Sequence, residues 1–518
     1  MHSRGPSDDG PAELGAEQTV EPSRSETGSA AAGSLRQRTI RGIAWAAAEK
    51  WSVRLSTLVG FVLLGRLLQP AEFGVVSLAM VFITLLTVIA DAGFATYLIQ
   101  ARELDRRLVN TAFYTALLFG ALLTAALVAG SGPLADAFDS PDLALVLPAV
   151  SLAVLVAGFS SVPAALLVKE LRFRDLAVRQ ASATLLSVVV AVVLAMAGAG
   201  VWALVAQHVT RSVVACVVLW VRSDFRPGLS YSLADAKVLT RFGGTAVLVQ
   251  LGQQVRDQGE SLLVGAVAGT TSLGYWTVAR RFVGVVVDLF SSVVNVVAQP
   301  VFAKLRDDRS GLARAIGTSS AAGALLLTPV LVALALVSQR AVPVVFGDQW
   351  GPAAAIASVL ALRSIVLSLG DFQRSALLGT GRPGAELAVT GVVLVGQAAI
   401  VLVAGRGDLA DLAWWLTGWM ALSWPLRALV LRRLLGVGWR TYSPTARVLL
   451  AAALAVVPVV VLGNLLDLDL LGSLAVGALG ALCYLGALLL LCRDLVAEVV
   501  ASIPFLRRRS RRAAGRAA

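Results

Sequence analysis

Between Gly42 and Leu491 the chain is a succession of apolar runs, each about 20 residues long and closed by a short polar connection. The runs are continuous, not alternating, so they read as helices and not as the strands of a barrel. Taking about 20 apolar residues as one crossing of a bilayer predicts fourteen helices. They fall near 42–66, 73–98, 108–130, 144–167, 177–198, 201–221, 243–268, 274–299, 313–338, 352–377, 385–404, 410–431, 445–463 and 470–492. The expected fold class is all-α, a polytopic membrane protein whose connections are too short to hold an external domain.

The polar connections fall into two sets. One holds Arg102, Arg106 and Arg107; Lys169, Arg172 and Arg174; Arg222, Arg226 and Lys237; Lys304, Arg306 and Arg309; Arg374 and Arg382; Arg432, Arg433 and Arg440. The alternate set reads QPAE, SGPLADAFDSPD, AGAG, GTTS, SQRAVPVVFGDQW, GRGDLAD and GNLLDLDL, with Arg340 and Arg406 its only cations. The positive-inside rule makes the basic set cytoplasmic, and with an even number of helices both termini lie on that side.

Composition agrees: 57% of residues are hydrophobic and 15% charged, and the mean hydropathy is +0.79. No ordinary soluble domain has that balance. The net charge of +12 is spread over alternate loops and the tail RRRSRRAAGR, which argues against nucleic acid as a partner. Lys50, Lys169, Lys237 and Lys304 are the only lysines, a compositional bias towards Arg. Cys216, Cys483 and Cys492 have no metal-type spacing. Residues 1–34, rich in Ser, Gly, Ala, Pro and Glu, read as a disordered cytoplasmic tail and not a cleavable signal.

A repeat is visible. LLGRLLQPAEFGVVSLAM, from Leu63, aligns with LVGAVAGTTSLGYWTVAR, from Leu263. Gly65, Gly74 and Ala79 match Gly265, Gly274 and Ala279, each pair 200 residues apart. The two copies lie six helices apart and share one orientation, which suggests two parallel six-helix lobes. The expected organisation is an N-lobe over 35–241, a C-lobe over 242–433, two appended helices over 434–492 and a basic cytoplasmic tail over 493–518. Chance likeness between apolar segments is the plain alternative.

Charges inside the apolar runs carry the candidate chemistry. VLVQLGQQVRDQGESLLVGAVAG, from Val247, sets Arg256 and Glu260 four residues apart on one helical face, with Asp257 about 100° round. Glu49, Lys50 and Arg54 lie in the first run, Asp91 in the second, His208 and Arg211 in the sixth, Arg280, Arg281 and Asp288 in the eighth, and Arg363 in the tenth. A charge at the bilayer centre costs roughly 2.5–3.5 kcal/mol on insertion scales, so such residues face a partner or water. Two readings stand: the charges neutralise one another inside the bundle, or the two lobes enclose a hydrated cationic cavity. In the second, Lys50, Arg54, Arg211, Arg256, Arg280 and Arg363 bind an anionic cargo. Glu260, Asp91, Asp288 and Glu49 are then the candidates for carrying a proton or Na⁺. His208 reads as a packing residue.

Other motifs fail on context. GTGRPG, from Gly379, follows a membrane run instead of a strand, so it is no dinucleotide fingerprint. There is no phosphate-binding G-x-x-x-x-G-K-[ST] and no H-E-x-x-H, and two histidines leave metal or triad catalysis without parts. KELRFRDLAVRQ, after the fourth run, reads as a basic cytoplasmic loop or as an interfacial segment touching anionic headgroups.

LLQPAEFGVVSLA leading into DAGFATYLIQ, then LGYWTVARRF, FGDQWGPAAAIASVLAL, LLGTGRPG and LRFRDLA together resemble the bacterial polysaccharide transporters of the Wzx/WzxC type. These belong to the multidrug/oligosaccharidyl-lipid/polysaccharide superfamily. The resemblance covers about 40–495. It implies two six-helix lobes in a V shape with two further helices outside. It also implies a flippase moving undecaprenyl-pyrophosphate-linked sugar repeat units across the bacterial cytoplasmic membrane, by alternating access, for surface polysaccharide. Lys50, Arg54 and Arg256 lie on helices that line the cationic cavity of such proteins. Glu260 stands where relatives often carry Asp.

Three function classes remain on the residues alone. An excess of mid-membrane cations suits a lipid-linked anionic oligosaccharide, with membrane lipids, a polysaccharide polymerase and glycosyltransferases as partners. A cation-coupled exporter of small drugs or metabolites would share the architecture. A membrane enzyme would need a large outer loop with catalytic side chains, which the connections do not supply. No cofactor is expected beyond a coupling H⁺ or Na⁺ gradient.

Overall fold

A computed structural model describes residues 53–91, 93–101, 103–465, 470–491 and 493. Lys50 and Glu49 fall outside the described residues, as do both tails. The chain divides into an N-terminal unit, Met1–Leu55, and a main unit, Ser56–Ala518. Of the first, residues 53–55 are described; they are helical, with Arg54 and Leu55 exposed.

The main unit opens with α1 (56–67), then α2 (Pro70–Asp91), α3 (Phe94–Gln100), α4 (Arg106–Ala137), α5 (Leu143–Lys169), α6 (Phe173–Met196) and α7 (Val201–Arg222). It continues through α8 (Leu233–Lys304), α9 (Arg309–Phe346), α10 (Gly351–Gly379), α11 (Pro383–Ala404), α12 (Leu409–Leu435), α13 (Ser443–Leu465) and α14 (Leu470–Leu491). No strand occurs among the described residues, and nine of the described helices are long and apolar enough to cross a membrane. In a bilayer each helix satisfies its own backbone hydrogen bonds, so this architecture follows from the unbroken apolar runs. Helices adjacent in sequence pack as hairpins, α4 on α5, α6 on α7, α9 on α10 and α13 on α14.

The connections are tighter than the polar residues suggested. The second predicted run, 73–98, is two helices, broken where Gly93 turns left-handed (φ 68°). The seventh and eighth runs are two helices, numbered together here as α8, that meet where GTTS begins: Gly269 (φ 84°, ψ 170°) breaks the helix, so this connection is a kink in place of a longer loop. The SQRAVPVVFGDQW connection is helical to Phe346 and then a 3₁₀ turn, Asp348–Trp350. Val342, Phe346 and Trp350 are buried there, so the chain stays hydrogen-bonded and does not loop out.

The repeat is a contact. α2 packs along α8, and Gly74 and Gly274 meet at the crossing. A methyl on Gly74 would strike the Thr270 carbonyl; one on Gly274 would strike the Pro70 carbonyl. Pro70 and Thr270 are themselves 200 residues apart, so each copy offers the same glycine to the same carbonyl of the other. Around the crossing, Trp350 Nε1 donates to the Gly65 carbonyl at 2.7 Å. Arg66 donates to the Val345 and Val344 carbonyls at 2.7 and 2.5 Å, capping the C-terminal end of α9. Phe61 lies edge-on to Phe346 at 5.2 Å, and Phe73 edge-on to Trp350 at 5.3 Å. One apolar core runs through both copies here, from Leu64, Phe73 and Leu147 to Val264, Trp276 and Leu360.

Candidate functional site

Charges within the helices fall into three groups, with Asp91 and Arg54 apart from them. The first lies wholly in the second copy. Arg363 of α10 grips Glu260 of α8 with two hydrogen bonds, 3.0 Å to Oε1 and 2.5 Å to Oε2. Trp276 Nε1 donates to Oε1 at 3.2 Å and Gln397 of α11 to Oε2 at 3.4 Å. Side-chain exposure is 6% for Arg363 and 11% for Glu260, so solvent screens the pair little. The face shared by Arg256 and Glu260 therefore does not pair them: Arg256 takes Asp257 at 3.0 Å and is one-third exposed. Arg363, expected as a cavity cation, is buried and spends two nitrogens on Glu260, with its Nε left without a partner. Glu260 is a hydrogen-bonded counter-ion to it. Arg280 joins the two limbs of α8, donating to Ser261 Oγ at 3.1 Å and to the Asp257 carbonyl at 2.8 Å.

A second polar tier lies on α10, α11 and α12. Arg427 pairs with Glu386 at 3.1 Å, and Thr390 donates to the same carboxylate at 3.0 Å. Arg374 pairs with Asp371 at 3.2 Å, one helical turn away. Arg256 and Arg427 lie within Coulombic range of Asp371. Asp91, at the end of α2, instead accepts from Ser161 of α5 within the first copy.

The third group joins α7 and α8. Arg211 of α7 and Arg281 of α8 lie within Coulombic range of each other and of His208, and Asp288 is the acid near Arg281. Arg211, Arg281 and Asp288 are all exposed. The Arg281 guanidinium sits 4.9 Å from the Phe61 ring centroid, a cation–π contact beside the crossing. Here two cations, one on α7 and one on α8, are left without a salt bridge among the described residues. Like charges near one another with no carboxylate bridging them favour an anion close by and disfavour a cation. Arg54 is exposed in the N-terminal unit.

Sequence reasoning passed over Trp276, Gln397, Glu386, Arg427 and Asp371. Gln397, Glu386 and Arg427 are polar residues inside or at the start of apolar runs, the signal that singled out Arg256. Trp276 carries no such signal, since its N–H matters only because Glu260 faces it. Among the described residues no group of His, Cys, Asp and Glu could hold a metal ion.

Comparison with known proteins gives four findings. The family described as polysaccharide biosynthesis protein matches residues 63–355. The chain is 27% identical over 370 residues to the succinoglycan biosynthesis transport protein ExoT of Rhizobium meliloti, covering 71% of this chain and 73% of that one. It is 26% identical over 351 residues to the lipopolysaccharide biosynthesis protein WzxC of Escherichia coli, covering 67% and 71%. Its fold is similar to that of the lipid II flippase MurJ in an inward closed conformation, with a TM-score of 0.69 at 12% identity, over 87% of this chain and 99% of that one.

Proposed function

The chain belongs to the polysaccharide biosynthesis protein family, and on that premise we propose that it is a flippase for lipid-linked, anionic oligosaccharides. The cargo is an undecaprenyl-pyrophosphate carrying a sugar repeat unit, moved across a bacterial cytoplasmic membrane for surface polysaccharide. The observation that carries the reading is the pair of exposed cations, Arg211 and Arg281, one on α7 and one on α8. Moving a bare pyrophosphate through hydrocarbon would cost tens of kcal/mol by simple solvation estimates, on the order of 20 per unit charge. Two guanidinium groups on opposite halves replace its lost hydration, while the lipid tail stays among the acyl chains. Because each half supplies one cation, relative motion of the halves changes how well the pair fits its anion.

The seam at the Gly74–Gly274 crossing supports alternating access. With the basic connections cytoplasmic, this seam lies at the outer end and is shut, the state that takes cargo from the inner leaflet. Coupling to an H⁺ or Na⁺ gradient belongs to the same proposal, with Asp288, exposed beside Arg281, the carboxylate best placed for it. A polymerase and glycosyltransferases act before and after the step, and the chain itself needs no catalytic group.

The test is complementation of a strain lacking the protein with Arg211→Ala/Arg281→Ala, alongside Arg211→Lys/Arg281→Lys. The alanine variant should accumulate lipid-linked sugar and lose surface polymer while still inserting, and the lysine variant should recover part of the output. Wild-type polymer from the alanine variant would overturn the assignment.

A further inference from the structure

A second feature lies away from the cations shared by α7 and α8. A groove of about 450 Å³ is lined by Phe159 of α5, by Cys216, Val217, Trp220 and Val221 of α7, and by Arg226 of the next loop. The Phe159 and Trp220 rings are stacked at 4.6 Å and 27°. Phe113 braces the Trp220 ring at 5.8 Å. Val217 and Val221 are exposed along the open side. Cys216 comes five residues after Arg211, about 140° round α7, so the groove opens on the opposite side from the shared cations.

Its polar groups are unspent. Trp220 Nε1 is buried and has no hydrogen-bond partner. Arg179 of α6 lies beside Cys216, and its buried Nε also has none. Arg226, exposed at the rim, donates only to the carbonyls of Ser223 and Phe225, each at 2.8 Å. Neither Arg179 nor Arg226 has a carboxylate partner among the described residues. Their neighbours differ: Arg172 binds Asp175 and Asp224 at 2.8 and 2.7 Å, and Arg222 binds Asp175 at 3.0 Å. An apolar slot with one uncompensated cation at its rim, Arg226, and a second, Arg179, behind Cys216, at the helix ends where Arg222 and Arg226 mark the headgroup level, fits a ligand with an acyl chain and one phosphate.

We propose that this groove binds one anionic glycerophospholipid of the surrounding leaflet. Its acyl chain lies against Phe159, Val217 and Val221 over Trp220. Its phosphate is received by Arg226, with Arg179, beside Cys216, supplying the second positive charge. The isoprenoid carrier is not the occupant, because the groove faces away from the cations assigned to it.

The full chain, purified in detergent and exchanged with phosphatidylglycerol or phosphatidylcholine, is weighed by native mass spectrometry. One phosphatidylglycerol should stay bound where phosphatidylcholine does not. Arg226→Ala should lower its retention about fivefold, and Arg179→Ala/Arg226→Ala about 25-fold, taking each cation as an independent surface charge. Equal retention of the two lipids, retention unchanged in the double variant, or a polyprenyl lipid copurifying in its place would each overturn the proposal. A second readout leaves both arginines intact. With Cys216→Ser, Cys483→Ser and Cys492→Ser and a reporter Val217→Cys on the exposed side of the groove, phosphatidylglycerol should slow maleimide labelling at position 217 and phosphatidylcholine should not; equal labelling refutes the site.

Discussion

Replacing Glu260 by Gln removes one charge and keeps the shape of the side chain. The amide oxygen can still accept from Trp276, whose bond to Oε1 is 3.2 Å. What is lost is the counter-ion of Arg363, whose side chain is 6% exposed. Breaking a pair buried to that degree costs about 3–5 kcal/mol, because the remaining guanidinium stays desolvated. Glu260→Leu should cost about 1–3 kcal/mol more, since Trp276 then loses its acceptor. Removing both charges reverses the larger part. Glu260→Leu/Arg363→Met leaves no orphaned ion, and only the Trp276 term, about 1–3 kcal/mol, remains. Thermal unfolding of the purified protein reads this order directly. At about 2–4 °C per kcal/mol for a domain of lobe size, Glu260→Gln should melt roughly 6–20 °C below the parent. The double variant should melt well above Glu260→Leu. The reasoning fails if the double variant melts no higher than either of its single parents, or if Glu260→Gln melts within about 2 °C of the wild type. Export by a stable double variant would show the pair to be scaffold; its absence would give Glu260 a part in transport.

Gly74→Ala and Gly274→Ala should act alike, because each new methyl meets a backbone carbonyl of the other copy; disulfide trapping between cysteines placed across the seam should fall in both. Asp308 caps α9 by accepting from the Gly311 amide at 2.9 Å, and that bond with Ser310 holds its carboxyl below the usual range. Its stabilisation is therefore complete above the unfolded value and fades as pH falls through the depressed folded one; Asp308→Asn should remove that part of the acid sensitivity, read as melting temperature against pH. Leu171 sits at φ 57° in the α5–α6 turn, so Leu171→Gly should raise the melting temperature by relieving about 1 kcal/mol of left-handed strain; an unchanged or lower value counts against that.

The helices were legible because lipid removes every alternative: an apolar run must close its own hydrogen bonds, and the runs mark α4, α5 and α9 to within a few turns. The repeat was legible through Gly65 and Gly74, since only a close backbone approach makes a glycine pattern recur with its spacing. Partner choice was not legible. Glu260 shares a helical face with Arg256, yet it turns to Arg363, more than a hundred residues on, because α10 packs against α8. Tertiary packing decides which of several cations reaches a carboxylate, and a linear pattern holds no record of that. One tight connection was missed for a related reason: AVPVVFGDQW is proline-bearing, but burial of Phe346 and Trp350 keeps it coiled.

The seam divides its labour between two kinds of contact. Glycine against carbonyl buries little side chain, so the Gly74–Gly274 junction can rock without any rotamer having to change. The cost of parting the two halves resides instead in Phe61, Phe73, Phe346 and Trp350, aromatic rings that each bury about 150–250 Å². How tightly the two copies hold at this crossing is thus adjustable one ring at a time, with the glycine contact itself left untouched.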